Sequence, residues 1–366
     1  MRLFDRRSGE LREVEVRPRM SVYVCGITPY DSAHLGHAFT YVHFDVLVRY
    51  LRHLGAEVVH VQNVTDVDDD ILRVARERGV DYQELARSEV EQFERDMDAI
   101  GVQRPTHSPR ATEYVPEIVE DVTGLFAAGV AYERAGWVYF RHAAFPRYGE
   151  LSGISRERMI ELAAERGGNP TDPNKDDPLD FVLWQPSAAG EPRWDSPWGR
   201  GRPGWHIECS AMSTRLCGVP IDIHGGGADL VFPHHESEIA QAESLTQPPF
   251  VRHWMHTGEV FQDGQKMSKS LGNMTFVSDL LERHDGDDIR RFLLDHHYRS
   301  DWEREFTVGL DPYPWTNEYP KRDRDSFLRA LDDDLNVPAA LSTLFEAERT
   351  GADWVDEGRA ILGIRG

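Results

Sequence analysis

Cysteine is scarce in this chain: Cys25, Cys209 and Cys217 are the only three in 366 residues. So small and odd a number excludes a disulfide framework at this length, suits a reducing compartment, and leaves the thiols open to metal binding or chemistry. Long hydrophobic runs are also missing. No apolar stretch approaches a bilayer span, and the mean hydropathy of −0.53 agrees with a soluble, non-membrane protein. The opening residues, "MRLFDRRSGELREVEV", alternate charge with apolar side chains and contain no hydrophobic signal core, so nothing marks the chain for export and a cytoplasmic location is expected. Positive charge is in deficit, with 41 Lys and Arg against 63 Asp and Glu, a net of −22. Such a chain repels polyanions on average, and any nucleic-acid contact has to come from a local basic patch. Internal repeats and low-complexity tracts are absent.

What is present points to an α/β protein. The length exceeds one typical domain, which predicts a large core domain carrying an insertion or appendage. "SVYVCGI" (21–27) reads as a short buried strand. From about Ser32 to Leu54 apolar residues recur at Leu35, Phe39, Val42, Val46 and Tyr50, with Leu47, Leu51 and Leu54 as a second stripe, so a largely buried helix is expected. Gly55 ends it and "AEVVHVQNV" follows as a strand. A strand, crossover helix and parallel strand build a doubly wound parallel sheet, and the loop from Thr28 to His34 then lies at the carboxyl edge, where ligands bind. From about 84 to 133 the pattern is helical, and "RGGNPTDPNKDDPLD" (166–180) reads as a loop within an insertion spanning about 100–200. A second half of the sheet begins near "PGWHIECSAM", continues through "PIDIHGGGADL" and reaches a helix at "PHHESEIAQAESL". The catalytic unit is expected to cover 1–310. Residues 311–366 begin with a turn-rich linker and end in a short helical segment.

Several residues can carry chemistry. Cys25, Cys209, His234 and Glu238 offer two thiolates, an imidazole and a carboxylate, a set suited to zinc, with Cys209 before a helix or turn and the last two on one helical face. A buried cysteine is as readily a small hydrophobe, and a His–Glu pair four apart a surface charge pair. Cys217 stands outside this set. "HLGH" puts His34 and His37 at a helix start with Gly36 between them, where imidazoles can meet nucleotide phosphates. "KMSKS" (266–270) offers Lys266 and Lys269 with hydroxyls to a polyphosphate, or is a solvated loop. Gly225, Gly226 and Gly227 allow close approach of a ribose or adenine, or make a tight turn. The acidic runs at 66–70 and 332–336 read as helix caps and lack the glycine and terminal glutamate of a calcium loop.

Taken in order, "YVCGITPYDSAHLGHA", "NVTDVDDDI", "DPLDFVLWQP", "SPWGRGRPGWHIECSAM", "DIHGGGADLVFPHHESEIAQ" and "QKMSKSLGN" closely resemble the cysteinyl-tRNA synthetase family of class I. The resemblance runs from about residue 20 to 300 and continues weakly into "DDDLNVPAALSTLFEAER". It implies a Rossmann-type catalytic domain, one zinc held by Cys25, Cys209, His234 and Glu238, and ATP with Mg²⁺ between the "HLGH" and "KMSKS" segments. On this resemblance His34, His37, Lys266 and Lys269 are catalytic, and His34, Gly36, His37, Gly225, Gly226, Gly227 and Lys269 bind ATP. By the same resemblance Thr28, Trp205 and Asp229 are expected to line the amino-acid pocket, with Asp229 a candidate for the substrate ammonium. The implied reaction makes cysteinyl-adenylate and passes cysteine to tRNA-Cys. Thiolate ligation by a soft metal rejects serine far better than a cavity of matching size, so no editing domain is needed. The tail holds twelve Asp or Glu against seven Lys or Arg, poor material for gripping phosphates, and no anticodon-binding domain is evident in it. "VCGITPYD" and "ERGGNPTDP" are also similar to the mycothiol-pathway ligase, a relative that couples activated cysteine to the amine of glucosaminyl-inositol, so a small amine is the alternative acceptor.

Overall fold

A computed structural model of the chain describes residues 1–267, 272–304 and 323–365. The N-terminal hairpin pairs β1 (Arg2–Asp5) with β2 (Glu10–Glu13). β3 (Arg19–Ile27), α1 (Leu35–His53) and β4 (Glu57–Val64) then form the expected strand–helix–strand unit. α2 (Asp69–Arg78) and α3 (Tyr82–Ala99) each start on an aspartate, Asp68 accepting from the Asp70 amide and Asp81 from that of Gln83; both satisfy orphan amides of a first turn. After α4 (Val115–Ala127) the chain builds a separate antiparallel sheet from β5 (Ala131–Arg134), β6 (Trp137–Phe140), β7 (Phe181–Pro186) and β8 (Gly201–Pro203), with α5 (Arg156–Glu165) between the two middle strands.

The chain returns to the main sheet through α6 (Trp205–Cys217), β9 (Ile221–Gly227), α7 (Glu236–Leu245) and β10 (Val251–Thr257). Next come β11 (Val260–Gln262), β12 (Gln265–Lys266), α8 (Val277–Leu281), α9 (Gly286–Leu294) and β13 (Trp302–Glu303). α10 (Arg324–Asp332), α11 (Val337–Thr350) and α12 (Val355–Leu362) close the described chain, with α12 against α1 and α11 against α9.

The main sheet runs β10-β9-β3-β4 with every neighbouring pair parallel, a doubly wound arrangement. Its alternation decides where the site sits. Val22 and Val24 join the core under α1, whereas Tyr23 and Cys25 point to the opposite core under α6 and α7. A fully buried ion pair braces the α1 side: Arg290 of α9 donates to Asp45 of α1 at 2.5 Å and, through Nε, to the Leu362 carbonyl at 2.6 Å. No helix among the described residues is long and apolar enough to cross a membrane.

Some expectations are corrected. The stretch read as helical from 84 to 133 is broken: Gly101, in the left-handed region at φ 76°, stops the chain after α3, and residues near His107 and Arg110 bridge to the edge of β4 before α4 begins. Cys209 lies inside α6 and not before it, because the helix starts at Trp205, capped by Gly204. A side chain at Gly204 would meet the Val182 carbonyl at 2.1 Å, so the helix start and β7 are in close contact. In the run 332–336 the cap of α11 is Asn336, which accepts from the Ala339 amide at 3.2 Å. Asp334 instead accepts from the Phe4 amide and the Tyr298 hydroxyl, at 2.9 and 2.7 Å, and ties β1 to the C-terminal helices.

Candidate functional site

β3 delivers Cys25, α6 delivers Cys209, and the turn leading into α7 delivers His234 one helical turn before Glu238. The ligand atoms of these four buried residues all lie within 4.8 Å of one another. Cys25 Sγ is 3.9 Å from Cys209 Sγ and 4.0 Å from Glu238 Oε2, and His234 Nε2 is 3.9 Å from the same oxygen. The edges of a tetrahedron of sulfur, nitrogen and oxygen around zinc are roughly 3.3–3.8 Å. These three separations are a few tenths of an ångström beyond such edges, and the chemistry of the four donors fits that metal.

The surroundings agree. Burial pushes the Cys25 thiol and the Glu238 carboxyl well up, and pushes the His234 imidazole well down. These three groups are therefore held neutral, and a divalent cation would enter by displacing protons from Cys25 and Glu238 while finding the His234 imidazole already in its ligating form. His206 Nδ1 lies 3.0 Å from His234 Nδ1 and orients that ring. Sequence reasoning missed two further residues. His224 Nε2 lies 3.3 Å from Glu238 Oε1 and His235 Nε2 lies 3.3 Å from Cys25 Sγ, so that Cys25, His224, His235 and Glu238 form a second group of possible ligands. Both histidines stand in motifs singled out by the sequence, but only strand register puts His224 beside Tyr23 and hence near Cys25.

Cys25 opens onto a cavity of about 1100 Å³ whose wall also contains Thr28, His34, Gly36, His37, Trp205, Gly227, Asp229 and Lys266. His34 is the N-cap of α1, its Nδ1 accepting from the His37 amide at 3.3 Å, and the two rings stack with centroids 3.7 Å apart. A Cβ at Gly36 would lie 3.0 Å from the His34 ring, so the glycine makes room for that ring. The positive end of α1 thus faces the cavity, as an anion site requires. Lys266 pairs with Glu259 at 2.6 Å. Lys269 lies outside the described residues. Gly225 and Gly226 are not on the cavity wall. They sit within β9, where a Cβ at Gly225 would lie 1.7 Å from the Met255 carbonyl, so packing demands that glycine, and one at Gly226 would meet only the tip of the Leu230 side chain at 2.8 Å; of the three only Gly227 reaches the cavity.

Trp205 lies tilted beside His234, centroids 4.3 Å apart, joining the Cys–His–Glu cluster to the cavity wall. Arg166, from the loop after α5, donates to the carbonyls of Asp229 and Phe232, which fastens the second sheet's loop over the cavity. Among the described residues, ten carboxylates and four cationic side chains line this space.

A parallel sheet with a helix-start histidine pair at its carboxyl edge and a buried thiol cluster alongside defines a class I synthetase-type catalytic domain. Residues 12–307 match the family model described as the tRNA synthetases class I (C) catalytic domain, and residues 326–350 match the DALR domain. The chain belongs to this cysteine-type family of class I tRNA synthetases, which are ligases. It is 46% identical over 347 residues to a cysteine–tRNA ligase of Idiomarina loihiensis, covering 90% of this chain and 75% of that protein. It is 45% identical over 380 residues to an L-cysteine:1D-myo-inositol 2-amino-2-deoxy-alpha-D-glucopyranoside ligase of Thermomonospora curvata, covering 100% of this chain and 90% of that one. Methionyl-tRNA synthetase of Mycobacterium tuberculosis, solved with methionyl-adenylate, shares the fold at a TM-score of 0.67 and 17% identity, over 95% of this chain and 88% of that one.

Proposed function

We propose that the protein activates L-cysteine with ATP and Mg²⁺ at a zinc site, forming cysteinyl-adenylate, and transfers cysteine to tRNA-Cys in the cytoplasm. The observation that carries this reading is the two-thiol, imidazole and carboxylate cluster whose Cys25 opens onto the same cavity as the N-terminus of α1. Zinc held by Cys25, Cys209, His234 and Glu238 would supply a soft acceptor for the substrate thiolate, which serine's hydroxyl cannot match. The carboxylate of cysteine attacks the α-phosphorus and pyrophosphate leaves, so anions meet and the protein's task is to hold and screen them. His34 and His37 would position the phosphates at the start of α1. Lys266 and Lys269 would add positive charge, Gly36 and Gly227 let the nucleotide approach, and Asp229 receives the substrate ammonium beside Thr28 and Trp205. Residues 1–310 would carry these steps and 311–366 would brace them.

The ten-to-four excess of carboxylates on the cavity wall favours a second reading of the acceptor. Such a wall repels the phosphates of an RNA end and attracts a cationic amine, for which the Thermomonospora curvata relative's printed substrate is the example. Purified protein with ATP, Mg²⁺ and labelled cysteine, offered deacylated tRNA or glucosaminyl-inositol, separates the two: label on tRNA supports the first, label on the amino sugar alone the second. Absence of cysteine-dependent ATP–pyrophosphate exchange in zinc-loaded protein would defeat both.

A further inference from the structure

Lys266, one of the cationic side chains on the cavity wall, is held by a carboxylate of the same wall: its Nζ lies 2.6 Å from Glu259 Oε1. The two side chains are 42% and 25% exposed, so neither charge is buried deeply enough to need the other for folding. The carboxylate is the anchored member of the pair. The Glu259 amide donates to the Asp301 carboxylate at 2.8 Å, its carbonyl accepts from the Trp302 amide at 3.1 Å, and a Cβ at the preceding Gly258 would meet the Ser300 carbonyl at 2.2 Å. The lysine carries its charge on a flexible four-carbon stem and can swing. Thr275 ties this hairpin to the start of α1, its carbonyl accepting from the Leu35 amide at 2.9 Å and its hydroxyl donating to Gln262 at 3.4 Å. Lys266 and the positive end of α1 thus stand around one anion site, and Glu259 stands there too. A carboxylate in that place repels phosphate, which a partly exposed ion pair does not repay in stability.

We propose that Glu259 is a positioning residue for the nucleotide step: its carboxylate takes the Lys266 ammonium as a phosphate oxygen would, and yields it only to a polyphosphate. The inference rests on reading the cavity as the ATP site. The exchange replaces a carboxylate oxygen by phosphate oxygens on one ammonium, so the lysine keeps a charged acceptor throughout. A triphosphate has distal phosphates to offer the lysine, whereas a nucleoside monophosphate at the start of α1 has none. The pair therefore favours ATP over AMP, the nucleotide left once cysteine has been transferred, and it takes the lysine back as pyrophosphate leaves.

Glu259→Gln in the full chain tests this, with ATP and Mg²⁺ or AMP alone as the probe in equilibrium dialysis without cysteine. ATP should bind the variant about threefold more tightly, the worth of a partly exposed ion pair that no longer has to be broken. The KM for ATP in pyrophosphate exchange should fall by the same factor, while AMP affinity should be unchanged. In a Lys266→Ala background the same substitution should move ATP binding by less than about 1.5-fold, because no pair is left to break. Equal or weaker ATP binding by Glu259→Gln than by the parent would overturn the inference. So would a gain shared by AMP, or one undiminished without Lys266, since Glu259 would then act by repulsion alone. A variant that lost its fold would overturn it too, the pair being structural in that case. If the parent itself bound no ATP, the reading of the cavity as a nucleotide site would fail and the inference with it.

Discussion

Cys209 and Cys217 share α6, eight residues apart, but only Cys209 is fully buried against the sheet beside Cys25; Cys217 is partly buried near the helix end. Cys209→Ser should therefore cost bound zinc and adenylate formation together, each by about 100-fold or more, since even an outer-shell partner is worth 10- to 100-fold. Cys217→Ser should leave both within about twofold of the parent. Metal content by atomic absorption and cysteine-dependent pyrophosphate exchange check the pair, and equal damage from both would sink the ligand set. Asp68 offers a test in the pH domain. Burial, with Asp69 and Asp70 adding to it, raises its carboxyl to about 6 from an ordinary 3.8. The folded state therefore disfavours the ionised form, a cost absent below pH 4, growing between 4 and 6, and complete above 6. Asparagine keeps the capping oxygen for the Asp70 amide. Asp68→Asn should match the parent near pH 4 and exceed it by ~1–2 kcal/mol at pH 8 in urea titrations.

At the scale of elements, α1 carries the most. Its middle is held by the Asp45–Arg290 pair, which joins it to α9 and to the end of α12. Asp45→Ala leaves Arg290 buried without its counter-charge and should destabilise the fold by ~3–5 kcal/mol in denaturant titrations, far more than loss of a surface pair. The same helix was plain in the sequence because its apolar stripe is continuous, and β3 and β4 were plain because buried strands flank it. Where the reading failed, distant partners decided. The start of α6 depends on Gly204 fitting against β7, the break after α3 on a residue pairing beside β4, and the duty of Asp334 on a hairpin more than 300 residues earlier. Donor chemistry could list the four candidate ligands together, and the resemblance to a family selected them; their nearness to one another is a matter of the fold. His224 and His235 were not among them, since their place follows from the register of β9 on β3, which no local pattern encodes.

For the whole molecule, the cluster ties β3, α6 and α7 through one point, so cation binding should be visible in global stability. Zinc at 1,000 times its dissociation constant should add ~4 kcal/mol over chelator-treated protein. Because burial makes Cys25 and Glu238 hold their protons more tightly than they ordinarily would, and they must release them to ligate, the difference in melting between zinc-loaded and chelated protein should widen as pH rises from 6 to 8 and shrink on acidification. The cavity wall has one further consequence. Lys175, Lys266, Lys269 and Lys321 are the only lysines in the chain, and the first two line the cavity. Burial lowers the Lys175 ammonium from its ordinary value, which makes that amine the more reactive one. Reagents that acylate amines, inert toward arginine, thus meet few lysine targets away from this space. A single active-ester dye would serve as a reporter of cavity occupancy, and immobilising the protein through its lysines would block the very space that its ligands enter.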